Sequence, residues 1–202
     1  MPHRSSVSDL LSTAAGAVHI DPDGTARLDA PPPALLVPGS FNPLHEGHLG
    51  LARAAERRVG SAAAFELSAV NADKAPLDEA ELRRRVAQFA GLATVWLTRA
   101  PTFVEKARLF RGVTFVVGTD TAARVVQPRF YGGEGPMAEA LAELRRRGCR
   151  FLVAGRLAAG EFVTLDRLGI PSEFADLFEA IPEGAFRADV SSTELRQAHR
   201  SG

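Results

Sequence analysis

The stretch Pro38-Gly39-Ser40-Phe41-Asn42-Pro43-Leu44-His45-Glu46-Gly47-His48 constrains this chain more than any other. It follows the apolar run Ala34-Leu35-Leu36-Val37 and leads into an alanine-rich helical stretch over residues 49–59. A buried strand, a turn dense in glycine, proline and asparagine, and a helix start form one unit. Backbone N–H groups at such a turn and at a helix N-terminus have no intrahelical partner, so they suit an anion, phosphate above all. Two histidines at i and i+3 add ring donors for phosphate oxygens. The stretch therefore predicts a triphosphate site that involves Gly39, Ser40, Phe41, Asn42, His45, Gly47 and His48. The plain alternative is a capped helix start with a satisfied polar pair. A zinc site fits poorly, because no third Cys, His or Asp ligand lies close by.

From Ala34 onward the pattern alternates strand and helix. Strands are expected at 34–37, 64–70, 95–97, 113–117 and 150–154. Phe115-Val116-Val117 and Phe151-Leu152-Val153 are continuous apolar runs, as parallel strands covered on both faces require. Asp78 with Glu81 forms a capping box ahead of Leu82, Val86 and Phe89. Thr102 with Glu105 forms another ahead of Ala107 and Phe110, ended by Gly112. Pro136 opens a helix to Arg147, and Gly148 stops it. The expected fold is α/β: a Rossmann-like, doubly wound parallel sheet of about five strands with helices on both faces. Residues 34–202 would form this domain. Residues 1–33 would precede it as a separate segment, with a short helix over 8–15, a hairpin and a stiff Pro31-Pro32-Pro33 spacer. The hairpin would pair Val18-His19-Ile20 with Thr25-Ala26-Arg27-Leu28 around Asp21-Pro22-Asp23-Gly24.

In such a sheet, ligands bind beyond the carboxyl ends of the strands. The loops there hold His45 and His48, Lys74, Gly118 with Asp120, and Arg156. Lys74 and Arg156 read as phosphate contacts or as solvated cations. Asp120 reads as a ribose or base acceptor or as a helix cap. Near the C-terminus, Ser191 and Glu194 make a capping box, and Ser192, Thr193 and Arg196 around it suit a second phosphate cradle. Trp96 and Phe103 read as packing residues, Cys149 as a buried strand residue, and Glu46 as a charge favouring the helix N-terminus.

Composition narrows the partners. The 24 basic and 24 acidic residues cancel, which gives no pull toward bulk nucleic acid or an anionic membrane. A single cysteine excludes an internal disulfide. No apolar run approaches the roughly 20 residues of a membrane span, and no signal-peptide core is visible. A cytoplasmic location is expected.

Gly39-Ser40-Phe41-Asn42-Pro43-Leu44-His45-Glu46-Gly47-His48 resembles the nucleotidylyltransferase superfamily motif, which ends in His-x-Gly-His. Ser191-Ser192-Thr193-Glu194-Leu195-Arg196 resembles that superfamily's second signature. Val117-Gly118-Thr119-Asp120 resembles a segment of nicotinamide and nicotinate mononucleotide adenylyltransferases. The resemblance implies transfer of AMP from ATP, or of another NMP from its NTP, to a small phosphorylated acceptor. Nicotinamide or nicotinate mononucleotide is the foremost acceptor, and pyrophosphate leaves. It also implies Mg²⁺ with the nucleotide, and catalytic roles for His45, His48 and Arg196. Ser191, Ser192 and Thr193 would join the nucleotide-binding set. A cytidylyltransferase acting on an alcohol phosphate and a non-catalytic nucleotide binder remain open, as does a homo-oligomer. The Trp-Glu pair of the mononucleotide enzymes has no counterpart here, since Trp96 precedes Leu97.

Overall fold

A computed structural model of the protein describes residues 16–70, 77–158 and 160–187. In chain order the main strands are β1 (Ala17–Ile20), β2 (Ala26–Arg27), β3 (Leu35–Pro38), β4 (Ala63–Ser68), β5 (Val95–Thr98), β6 (Thr114–Gly118) and β7 (Arg150–Ala154). A two-stranded ribbon, β8 (Arg156–Ala158) and β9 (Glu161–Val163), follows, and then β10 (Phe178–Ile181). The helices are α1 (Glu46–Val59), α2 (Glu79–Ala87), α3 (Phe103–Leu109), α4 (Thr119–Val125) and α5 (Glu134–Arg146).

Eight of the strands make one sheet in the order β10-β7-β6-β3-β4-β5-β1-β2. From β10 to β5 all neighbours are parallel, while β1 runs antiparallel to both β5 and β2. This is the expected Rossmann-like α/β fold, with eight strands in its sheet instead of about five. The five expected strands are present with their ends shifted by at most two residues. The other three are β10 and the hairpin β1–β2, which forms the antiparallel edge of the same sheet. The hairpin turn closes where Gly24 N–H donates to Asp21 O at 2.9 Å, with Gly24 at φ 86°.

Alternation along the strands divides the core between the two faces. Leu35, Val37, Phe65, Leu67, Val95, Leu97, Val116 and Leu152 pack on one side with Ala52 and Ala55 of α1 and Leu82 of α2. Leu36, Ala64, Trp96, Phe115, Val117, Phe151 and Val153 pack on the other with Ala107 of α3, Ala122 of α4 and Leu141 and Leu144 of α5. Caps set the helix starts. Asp78 accepts from Glu81 N–H at 2.8 Å, and Thr102 and Glu105 cap one another's backbone reciprocally. Helix α5 begins at Glu134, two residues ahead of Pro136, and Gly148 with φ 73° follows its end as expected.

The chain winds β3–β4–β5 in one direction and β6–β7–β10 in the other, so strand order reverses between β3 and β6. That reversal opens a crevice at the carboxyl ends of these strands. Both walls depend on the two packed faces. Leu141→Ala, at a fully buried position, is expected to lower stability by about 2–5 kcal/mol. Urea unfolding should show a reduced midpoint and an unchanged slope.

Candidate active site

The turn after β3 runs directly into α1, and its two histidines hold each other. His45 is the N-cap of α1, and its Nδ1 accepts from Gly47 N–H at 3.1 Å. His48, at N3, accepts from His45 N–H through its own Nδ1 at 3.3 Å. This is the reciprocal logic of a capping box, built from two imidazoles in place of a hydroxyl and a carboxylate. Because both Nδ1 atoms accept, each neutral ring carries its proton on Nε2. The rings stack at 3.8 Å between centroids, with a 29° tilt, and His48 meets the edge of Phe41 at 5.1 Å. Burial, with His45 and Arg156 nearby, pushes the His48 pKa down to about 3. Burial and the Arg156 charge also lower that of His45. At neutral pH the pair presents uncharged N–H donors.

Both rings line a cleft of about 390 Å³ with Gly39, Ser40, Gly47, Gly118, Asp120 and Arg156. Eight of the expected site residues are thus brought to one rim. Arg156 donates from Nη1 to Asp120 Oδ2 at 3.1 Å. Both side chains are substantially exposed, so the pair adds little stability. Its effect is to fix a carboxylate and a guanidinium side by side at the cleft. Gly39 is sterically required, since a Cβ there would lie 2.7 Å from the buried Phe41 ring. One on Gly118 would lie 2.7 Å from Asp120 Oδ1, the end of an exposed side chain that can move aside.

Phe41 and Asn42 do not line this cleft. Phe41 is 1% exposed and packs on Phe65 and Phe89, so it supports the turn from the core despite its φ of 43°. Asn42 Oδ1 accepts from Arg84 Nη2 at 2.6 Å. Lys74, Ser191, Ser192, Thr193 and Arg196 lie outside the described residues. Trp96 is buried between His19 and Phe110, and Cys149 is a buried thiol whose pKa burial raises.

Thr121, in the rim segment 118–121 that follows β6, lines the cleft too, as do Arg124 and Phe186, which were not anticipated. Thr121 and Arg124 fall at i and i+3 on α4, so helical periodicity from Thr121 would have found Arg124. Phe186 carries no such local signal.

A second recess of about 210 Å³ lies beside the first and shares Pro38, Gly39, Ser40 and Thr121 with it. Ser68, Arg85, Phe103 and a buried ion pair complete it. Lys106 donates to Glu66 Oε1 at 2.8 Å and to Ala100 O at 2.6 Å. Thr98 Oγ1 donates to the same carboxylate oxygen at 2.5 Å. The cluster binds the ends of β4 and β5 to α3.

Among the described residues no group of three His, Cys, Asp or Glu side chains converges as a metal site. Asp120, the carboxylate of the larger cleft, is engaged by Arg156. These residues do not fit a magnesium ion held by protein ligands alone. No helix among the described residues is long and apolar enough to cross a membrane.

A family model described as cytidylyltransferase-like matches residues 36–198. A search of curated proteins found no match. The matched span begins within β3 and takes in both the turn that holds His45 and His48 and residues 191–196.

The neutral state of His48 has a measurable consequence. The unfolded ring titrates near its ordinary value of 6.5 and the folded ring near 3. Stability should therefore be full above pH 6.5 and fall as pH drops below it, by up to about 1.4 kcal/mol per pH unit for one proton. His48→Gln keeps an acceptor for His45 N–H and is expected to remove about one proton from this dependence. Urea unfolding at several values between pH 6.5 and 5 checks the slope.

Proposed function

Because this chain belongs to the cytidylyltransferase-like family of the nucleotidylyltransferase superfamily, we propose that it transfers AMP from ATP to a phosphorylated acceptor. The acceptor is nicotinamide or nicotinate mononucleotide, and pyrophosphate is released. The observation that carries this reading is the interlocked pair His45–His48. Its two Nε2–H donors sit at the N-terminus of a 14-residue helix, on a cleft that also holds Arg124 and Arg156. Hydrogen-bond donors, helix dipole and guanidinium charge all favour a polyanion there.

In this reading the triphosphate occupies the larger cleft and the acceptor the adjoining recess, so the two meet over Gly39 and Ser40. An acceptor phosphate oxygen, already ionised at neutral pH, attacks the α-phosphorus. The new P–O bond forms as the bond to the β-phosphate breaks, and the electron pair leaves with pyrophosphate. No general base is needed. Catalysis rests on positioning two anions and on donors placed where charge develops. His48 serves the α-phosphate and His45 the neighbouring oxygens. Ser192, Thr193 and Arg196 belong to the same proposal as holders of the β- and γ-phosphates, with Lys74 as a further phosphate contact. Magnesium enters it as part of the nucleotide complex.

A second reading, favoured by the family description, has CTP as donor and an alcohol phosphate as acceptor. Pyrophosphate release decides between them when ATP and CTP are each offered with nicotinamide mononucleotide, nicotinate mononucleotide and an alcohol phosphate. ATP with a mononucleotide is expected to turn over, and absence of release with every pair would overturn both readings. His48→Ala should keep its far-UV circular dichroism and lose on the order of 10²–10³ in turnover. Near wild-type turnover in that variant would remove His48 from its assigned role.

A further inference from the structure

The phosphate turn is held by side chains of a helix segment nearly half a hundred residues further along the chain. Arg84 and Arg85 lie on α2, and Gln88 is its C-cap residue. Arg85 Nη1 donates to Ser40 O at 2.9 Å. Gln88 Nε2 donates to Phe41 O at 2.9 Å. Arg84 Nη2 donates to Asn42 Oδ1 at 2.6 Å. Leu44 N–H donates to Gln88 Oε1 at 2.8 Å. From Ser40 to Leu44 each residue is held in this way except Pro43, which has no N–H to offer. The bonds go mostly to backbone, so they fix the path of the turn whatever its side chains do.

Gln88 has the central place. One primary amide uses its donor end on residue 41 and its acceptor end on residue 44, as a neighbouring strand would, and so closes the turn from outside. Neither Arg84 nor Gln88 lines the larger cleft, so their effect on a bound anion must pass through the turn. The arginines are themselves braced. Glu81 accepts from Arg84 Nε at 2.6 Å and from Arg85 Nε at 2.7 Å. The Arg84 hydrogen bond, with that from Arg85, holds the Glu81 carboxyl down at about 2. The bracing removes rotamer freedom that two long side chains would otherwise lose on engaging the turn.

The turn needs such support. Phe41 is in the left-handed region, where a residue with a side chain sits only when its surroundings over-determine it. Leu44 immediately precedes His45, whose φ and ψ of −148° and 167° set up the N-cap. The stacking of His45 on His48 and the aim of both Nε2–H groups follow from that backbone.

We propose that Gln88 is a positioning residue: its two amide hydrogen bonds to Phe41 and Leu44 hold the phosphate turn so that His45 and His48 present their Nε2–H groups to one anion. The proposal rests on the reading of this cleft as a triphosphate site. Its test uses Gln88→Leu, which removes both bonds at similar volume. Gln88→Glu is the second variant; it keeps the acceptor for Leu44 N–H and loses the donor to Phe41 O.

Two measurements are made on the intact chain. Ring ¹⁵N correlation spectra of the free protein report the tautomers of His45 and His48. Calorimetric titration reports affinity for ATP and for inorganic triphosphate. In Gln88→Leu both rings are expected to lose their single Nε2–H form, and affinity for both ligands should fall roughly ten- to a hundredfold. Gln88→Glu should show a smaller change in the ring spectra. Unchanged ring spectra together with unchanged affinities in folded Gln88→Leu would overturn the proposal, because a residue that merely anchors α2 would lower the melting temperature alone. Should Gln88→Leu not fold, the ring spectra of Gln88→Glu decide in the same sense. Failure of the wild-type protein to bind ATP or triphosphate would sink the triphosphate reading instead, and the ring spectra would still judge the clamp.

Discussion

The rim chemistry depends on one constraint, the pairing of β3 along both of its edges. With β4 on one side and β6 on the other, β3 is fixed in a parallel sheet. The helices that follow β3 and β6 then pack on opposite faces, and no connection crosses the gap between the two strand ends. Backbone leaving β3 must turn sharply there, in a space where its N–H groups meet no neighbouring strand. Gly39 N–H still finds Glu66 O at 3.0 Å. Beyond it the chain is held by side chains: the two histidines on one flank, and Arg85 and Gln88 on the other.

The division of electrostatic labour also follows from packing. His45 and His48 are partly buried against one another and Phe41, so they serve as neutral donors. Positive charge is supplied by Arg124 and Arg156, from α4 and from the start of β8. Charge is thus kept on long side chains that water reaches, while short-range geometry is kept on rigid rings. The smaller recess reverses this arrangement, with its Lys106–Glu66 pair buried. In a buried pair the cost of desolvating two charges offsets much of their attraction, so its net contribution to stability is small even though removal of one partner would leave the other charge uncompensated.

The sequence made some of this legible and hid the rest for physical reasons. The five central strands are buried on both faces, so their apolar runs could be read directly. Strand β10, Phe178-Glu179-Ala180-Ile181, lies on an edge with its two middle residues exposed, and it offers too little pattern to distinguish it from a loop. The histidines were visible through their i, i+3 spacing. A capped helix start with a satisfied polar pair was the plain alternative there, but its reciprocal form, with each ring accepting from backbone, was not legible, because histidine is not among the residue types that usually cap a helix. Phe41 was expected at the nucleotide and belongs to the core, since an aromatic ring in a turn carries no mark of which way it faces. Arg85 and Gln88 were invisible because 45 and 47 residues separate them from the backbone they hold. Periodicity carries no information at that range.

The contact between Gly39 and the ring of Phe41 has a consequence for how chains of this kind can diverge. A side chain at position 39 would have to displace a ring that fills the core beneath β3. The glycine is therefore demanded by packing before any ligand is considered. A descendant that kept this fold would still be held to glycine there. At positions 45 and 48 the packing asks only for groups that cap the helix start, which other residue types also supply. Retention of the glycine alone thus records only the architecture, and the histidines beside it are the positions that would register a change at the cleft itself.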